Sequence, residues 1–310
     1  MMKARIRDFL QTRDGWIFAV ADYQHPEGIR CLLRYVPDPA GERATGGVRY
    51  RKLDFDDSFD FLRKNRPEYL RDLHTVPEND VLKFYRPEEK LPDVAAKDAR
   101  VRKIADLLAQ GGIPMDQMGI TGSMLMGLNG PTSDIDFVVY GPYWWKARDL
   151  LDRAKAQGRI EDLDETMWKK IYAKRKPEIS FQEFMVHERR KGNRGVVEGT
   201  YFDLLFTRDW PQIDRIEPRL PSRVLGRKKI EAKVLEADYA FDSPAIYRLD
   251  GPVEEIYCFS HTYAGQALPG ETIEASGVIE ETEQGQRMVV GTTREARGEW
   301  IRSLTLLQSS

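Results

Sequence analysis

Two apolar runs near the start of the chain, WIFAVADY (Trp16 to Tyr23) and IRCLLRYV (Ile29 to Val36), flank Gln24-His25-Pro26-Glu27-Gly28. Strand-like runs separated by turn residues predict a β-hairpin. DDSFDFLRKNRPEYL reads as a helix with Asp56 or Asp57 as its N-cap, and RPEEKLPDVAAK, with two prolines and many charges, reads as a linker. From about Ala95 to Gln110, Val101, Ile104, Ala105, Leu107 and Leu108 keep helical spacing until Gly111-Gly112. A short strand is expected at Met118 to Thr121, another at Ile135 to Tyr140, a helix at Trp144 to Ala156, and a third apolar strand at Thr200 to Phe206 (TYFDLLF). Pro211, Pro218 and Pro221 mark a second linker. Beyond about Gly226 the pattern becomes all-β, with five candidate strands separated by turn residues, which suits a small barrel of the OB type. The expectation is an α+β chain of three parts: an N-terminal domain over 1–90, a central mixed-sheet domain over 95–212, and a β-barrel over 226–310.

Composition narrows the class without changing that outline. The 310 residues are 41% hydrophobic and 32% charged, enough for a sizeable core under a solvated surface. A net charge of −2 means that any basic surface is local. Cys31 and Cys258 lie far apart, so neither a disulfide framework nor a cysteine zinc site is indicated. The four histidines have no ligand spacing, and Asp54, Asp56, Asp57 and Asp60 read as helix N-terminal charge. With no signal-peptide pattern and no long apolar run, a cytoplasmic protein without membrane contact is expected.

The chemistry concentrates in GITGSMLMGLNGPTSDIDFVVYG, residues 119–141. Asp134 and Asp136 are two apart at the mouth of a strand, so they project to one face while Ile135, Phe137 and Val139 enter the core. Two adjacent carboxylates repel unless a cation lies between them, and Mg²⁺ favours carboxylate oxygens together with substrate phosphates. Upstream, Gly122-Ser123 follows a strand and opens a short helix, where glycine admits a close ligand and free N–H groups suit phosphate. Asp203 lies inside TYFDLLF and points away from Phe202, Leu204 and Phe206.

A Gly-Ser pair, about ten residues, then Asp-x-Asp in a strand resembles the signature of the DNA polymerase β-like nucleotidyltransferase superfamily over roughly residues 95–210. The resemblance implies a third carboxylate on a neighbouring strand, which Asp203 fits, with Glu198 as the fallback. It implies that Asp134, Asp136 and Asp203 ligate Mg²⁺ or Mn²⁺ and that Gly122 and Ser123 hold the phosphates of a nucleoside triphosphate. One departure is Met124-Leu125-Met126-Gly127, where many small members of the superfamily carry an arginine.

The acceptor is read from charge. Lys169 to Arg194 has nine basic and three acidic residues, net +6. Arg189, Arg190, Lys191 and Arg194 lie in HERRKGNRG, expected as a polar loop running into the Asp203 strand and gripping a nucleic-acid end. The barrel segment from Gly226 onward has a net charge of −5, and its aromatics Tyr247, Tyr257, Phe259 and Tyr263 suit core packing better than base stacking. The expected activity is transfer of a nucleoside monophosphate to a nucleic-acid hydroxyl. The alternatives are transfer to a protein or small molecule, and nucleotide binding without turnover.

Overall fold

The computed structural model describes residues 3–130, 132–293 and 295–309. The chain divides into two compact units, residues 1–161 with 193–216, and residues 162–192 with 217–310. The division differs from a linear three-part order: the segment 162–192 groups with the barrel, and the N-terminal region groups with the strands that carry the aspartates.

The first unit holds a seven-stranded and a four-stranded sheet. The predicted hairpin is present as antiparallel strands Ile17–Val20 and Ile29–Pro37 in the larger sheet. One face of that sheet packs Leu10, Phe18, Cys31 and Leu33 with Leu62 of helix Phe55–Asn65, whose N-cap is Asp54 rather than Asp56 or Asp57. The other face packs Phe9, Ile17, Tyr35 and Tyr50 against Leu125, Met126 and Leu128. The N-terminal sheet therefore shares a core with the segment that follows Gly122-Ser123.

The expected linker RPEEKLPDVAAK is mostly a helix, Pro87–Lys97. Proline is tolerated in the first helical turn, where its missing N–H has no partner to lose, and Glu88 and Glu89 favour the same end. This helix ties the sheets together: buried Arg5 pairs with Glu88, and the Tyr140 hydroxyl donates to Glu88 Oε2 at 2.6 Å. The Arg5 guanidinium also lies 4.0 Å from the Tyr140 ring centroid. The next helix, Ala99–Gln110, buries the five apolar residues that its spacing selects.

In the four-stranded sheet the order is Arg194–Val197, Thr200–Thr207, Ile135–Tyr140, Met118–Ile120. The middle pair is parallel and both outer pairs are antiparallel. Phe202, Phe137 and their same-face neighbours enter the core, and Trp144 of helix Tyr143–Ala156 lies against Phe206 with ring centroids 6.2 Å apart.

The second unit contains helices Glu165–Arg175 and Phe181–Lys191 and a closed five-stranded barrel. Around the ring run Arg223–Glu236, Ala245–Asp250, Glu255–Cys258, Gly285–Val290 and Thr272–Thr282, which pairs back to the first strand. A sixth strand, Trp300–Ser303, extends from Thr272–Thr282. Tyr247 and Tyr263 are core residues, with the Tyr247 hydroxyl donating to the Tyr263 carbonyl at 2.9 Å.

Candidate active site

A single row across the four-stranded sheet sets the site. Arg194 is the cross-strand partner of Asp203, and Asp203 is the partner of Asp136 in the parallel pair. On the far side, the Thr121 N–H donates to the Asp136 carbonyl at 3.0 Å. Adjacent strands lie about 4.8 Å apart, so side chains in one row are neighbours. Asp134 precedes Asp136 by two and takes the same face at the strand's mouth.

Charge at Asp136 reflects that crowding. Burial pushes its carboxyl up to about 6, helped by Asp203 and Asp134 and opposed by Arg7 and Arg34. Gly122 follows Thr121 with φ +66°, and a Cβ there would collide with Asp136 Oδ2. Glycine is thus required twice, for the left-handed backbone and for the close approach to the carboxylate. Helix Gly122–Leu125 is only one turn long, so its aligned dipoles supply less than the sequence pattern implies. Ser123 is half-buried in that turn and its carbonyl accepts from Leu128 N–H at 2.8 Å. The following loop is braced by Arg43, which donates to the Leu128 carbonyl at 3.0 Å.

Asp203 is engaged by its neighbours. Arg194 Nε donates to Oδ1 and the Tyr201 hydroxyl donates to Oδ2, both at 2.7 Å. Burial works against the Arg194 charge, but Asp203 and Tyr201 outweigh it and raise the guanidinium above its ordinary value. Among the described residues, no three His, Cys, Asp or Glu side chains are arranged to hold a metal ion. Asp134 and Asp136 do fit a divalent cation, because Mg²⁺ is commonly held by one or two carboxylates and completed by substrate phosphates and water. Asp203 is held by Arg194 and Tyr201.

The basic segment departs most from expectation. HERRKGNRG is not a loop: Ser180 and Glu183 form a capping box, and the helix runs to Lys191 before Gly192 ends it in a left-handed conformation. Lys191 is buried, donating to Glu188 Oε1 at 2.6 Å and to the Thr262 carbonyl at 2.7 Å. Arg190 pairs with Glu271 and donates to the Gln266 carbonyl at 2.6 Å. Arg194 is buried against Asp203. Three of the four proposed nucleic-acid contacts are thus committed to internal partners, and Arg189 alone is exposed. Pairing neutralised the run, and the Glu188–Lys191 spacing of three was the visible signal. Arg7 and Arg34, which do act on Asp136, were missed because they are remote in sequence and carry no motif.

Residues 101–191 match the family model of a nucleotidyltransferase domain, a span that includes Gly122, Ser123, Asp134 and Asp136 and ends before Asp203. The chain is also similar to the uncharacterized protein MJ1086 of Methanocaldococcus jannaschii, with 38% identity over 97% of this chain and 99% of that one. No solved structure matches it.

Proposed function

From a chain that belongs to one family with that archaeal protein and carries a polymerase β-like nucleotidyltransferase domain, we propose metal-dependent transfer of a nucleoside monophosphate from a nucleoside triphosphate to an acceptor hydroxyl. The observation that carries this reading is the register that sets Asp203 beside Asp136 with Gly122 against the Asp136 carboxylate. Asp134 and Asp136 hold Mg²⁺ or Mn²⁺, which when bound neutralises phosphate charge and makes the acceptor hydroxyl more acidic. Gly122 and Ser123 let the phosphates approach the backbone. The acceptor oxygen forms a bond to the α-phosphorus, the bond to the β-phosphate oxygen breaks, and pyrophosphate leaves. Asp203, held by Arg194 and Tyr201, takes the hydroxyl proton.

For the acceptor we favour a nucleic-acid end. The barrel's ring order, first-second-third-fifth-fourth with the third and fifth strands parallel, supports an OB-type reading, in which the second and third strands face oligonucleotides. Tyr257 on the third strand lies under Arg287, 4.9 Å from ring centroid to guanidinium, and Phe259 is exposed just beyond it. Incubation with labelled nucleoside triphosphates, Mg²⁺ or Mn²⁺, and separate pools of RNA, DNA, protein and small hydroxyl compounds tests the reading. Label in nucleic acid with pyrophosphate released is the expected result. Label in protein or a small compound moves the acceptor to the alternative class, and absence of transfer from every pool removes the catalytic reading.

A further inference from the structure

Arg190, Lys191 and Arg194 are spent on internal ion pairs, yet a polyphosphate substrate needs cations that are not. Cations of that kind lie in the N-terminal region. Arg5, Arg30, Arg51, Arg86 and Arg100 in the first unit all pair with carboxylates. Arg7 and Arg34 make no side-chain hydrogen bond or ion pair among the described residues, and Arg7 Nε is a buried donor with no acceptor among them. Buried donors without partners are rare and call for an explanation, an absent ligand among them.

Local backbone geometry turns both residues to the site. Arg7 has φ +80°, a left-handed conformation that residues other than glycine, asparagine and aspartate seldom adopt. It is held there as its carbonyl accepts from the Thr121 hydroxyl at 2.6 Å, one residue before Gly122. Such outliers persist where the surroundings over-determine them, often at ligand clamps. Arg34 is the extra residue of a β-bulge: Ile17 pairs with Tyr35 and Phe18 with Leu33, which leaves Arg34 between them. Leu33 packs on one face of the sheet and Tyr35 on the other, against Leu125, Met126 and Leu128. The bulge places Arg34 beside Tyr35 on the side that meets the Gly122–Leu128 segment, and bulges commonly re-aim a side chain in this way.

We propose that Arg7 and Arg34 form the cationic half of the site and bind the polyphosphate of the nucleoside triphosphate, the leaving pyrophosphate included. The inference rests on the nucleotidyltransferase reading and assigns a binding role to the N-terminal sheet. Both guanidinium groups already act on Asp136, opposing the effect of its burial. Asp134 and Asp136 together with two arginines that act on Asp136 give the site both signs of charge for a metal-bound triphosphate. Arg34 stands next to Tyr35, which burial raises above its ordinary value while Arg34 and Arg43 act to lower it.

Binding of each of the four ribonucleoside triphosphates and of inorganic pyrophosphate, all with Mg²⁺, is to be measured for the wild type, Arg7→Gln, Arg34→Gln and Arg7→Lys. Each glutamine variant is expected to weaken both ligands about tenfold or more, as loss of a charge-assisted contact does, with Arg7→Lys recovering part of the loss. The free nucleoside should lose nothing. Thermal melts identify any variant that fails to fold, and Arg34→Gln, which lacks the left-handed backbone of Arg7, then decides alone. Folded glutamine variants with wild-type affinity for triphosphate and pyrophosphate overturn the inference and leave the transfer reading standing. A wild type that binds neither ligand overturns both.

Discussion

In helix Phe181–Lys191, Lys191 is held by Glu188 and Arg190 by Glu271; in the N-terminal region, Arg7 and Arg34 form no such ion pairs among the described residues. The first group forms a conspicuous basic run in the sequence, and the second is two isolated residues. The comparison shows that a cation's availability depends on its partners rather than on the local density of Lys and Arg. An exposed run would produce a local positive field. A run in which Arg190, Lys191 and Arg194 are paired is part of the packing instead. The following substitutions test that difference from both sides.

The largest effect is expected at the aspartate that the two arginines face. Asp136→Asn should lower transfer at least about 10³-fold, since electrostatic groups at developing charge are each worth about 10²–10³ and this one also holds the metal. The same change should raise stability above pH 6 by about 1–3 kcal/mol, because a carboxyl pushed up to about 6 is ionised there at a cost to the folded state. Turnover with saturating nucleotide and a melt at pH 8 check the two halves. Wild-type turnover in a folded Asp136→Asn protein would remove this residue from the mechanism.

On the other side of the comparison, Lys191→Met should destabilise the protein by roughly 3–5 kcal/mol. It leaves Glu188 buried and charged, the circumstance in which breaking an ion pair costs most. Arg175, 3.6 Å from Glu188 Oε2, will offset part of the loss. Adding Glu188→Gln should recover much of the stability, whereas a binding residue would show no such recovery. Denaturant melts of the single and double variants measure it.

How far these features were legible in the sequence differs by element. Asp134, Asp136 and Gly122-Ser123 could be read because strand alternation and the glycine requirement are local. Asp203 was reached by the same alternation, and the parallel pairing sets it beside Asp136. The barrel's strands were visible one by one, but its closure was not, since closure is a matter of pairing between distant segments. Helix Pro87–Lys97 was misread because its prolines outweighed an acidic first turn. Arg194 was misassigned because its partner, Asp203, faces it only once the two strands pair. Arg7 and Arg34 could not be read at all, as a left-handed residue and a bulge are consequences of the fold.

A smaller effect, of about 3 kcal/mol when fully developed, is expected from acid. Burial pushes His187 down to about 4, and its neutral ring accepts from Ser303 N–H at 2.9 Å while its other nitrogen meets the Glu183 carbonyl at 2.7 Å. Between pH 6.5 and 4 the unfolded chain binds this proton more readily than the folded one, so stability falls as pH drops through that window. His74, also pushed down to about 4 by burial, acts in the same direction in the first unit. There Asp8 opposes it: burial pushes that carboxyl up to about 7, so acidification from 7 stabilises the folded form. Acid loss is therefore expected to begin in the unit that carries the barrel. Hydrogen exchange at pH 7 and pH 5 locates it, and equal loss of protection in both units would contradict the assignment.

The smallest effect belongs to Arg189, the one exposed member of the basic run. It makes no ion pair among the described residues and acts on the exposed Glu165. Surface substitutions away from caps, cores and buried pairs usually change stability by less than about 0.5 kcal/mol, and Arg189→Gln should stay within that range. If a nucleic-acid acceptor binds through this surface, the variant should weaken binding slightly and lower the slope of log affinity against log salt by about one unit or somewhat less. With Arg190, Lys191 and Arg194 engaged internally, a single phosphate contact is the most this segment can give. A slope reduction of several units in the folded Arg189→Gln protein would mean that the paired residues open to the acceptor on binding, and the contrast with Arg7 and Arg34 would then be one of state rather than of structure. An unchanged slope leaves the acceptor to other surfaces, with the Tyr257 and Phe259 side of the barrel the next place to substitute.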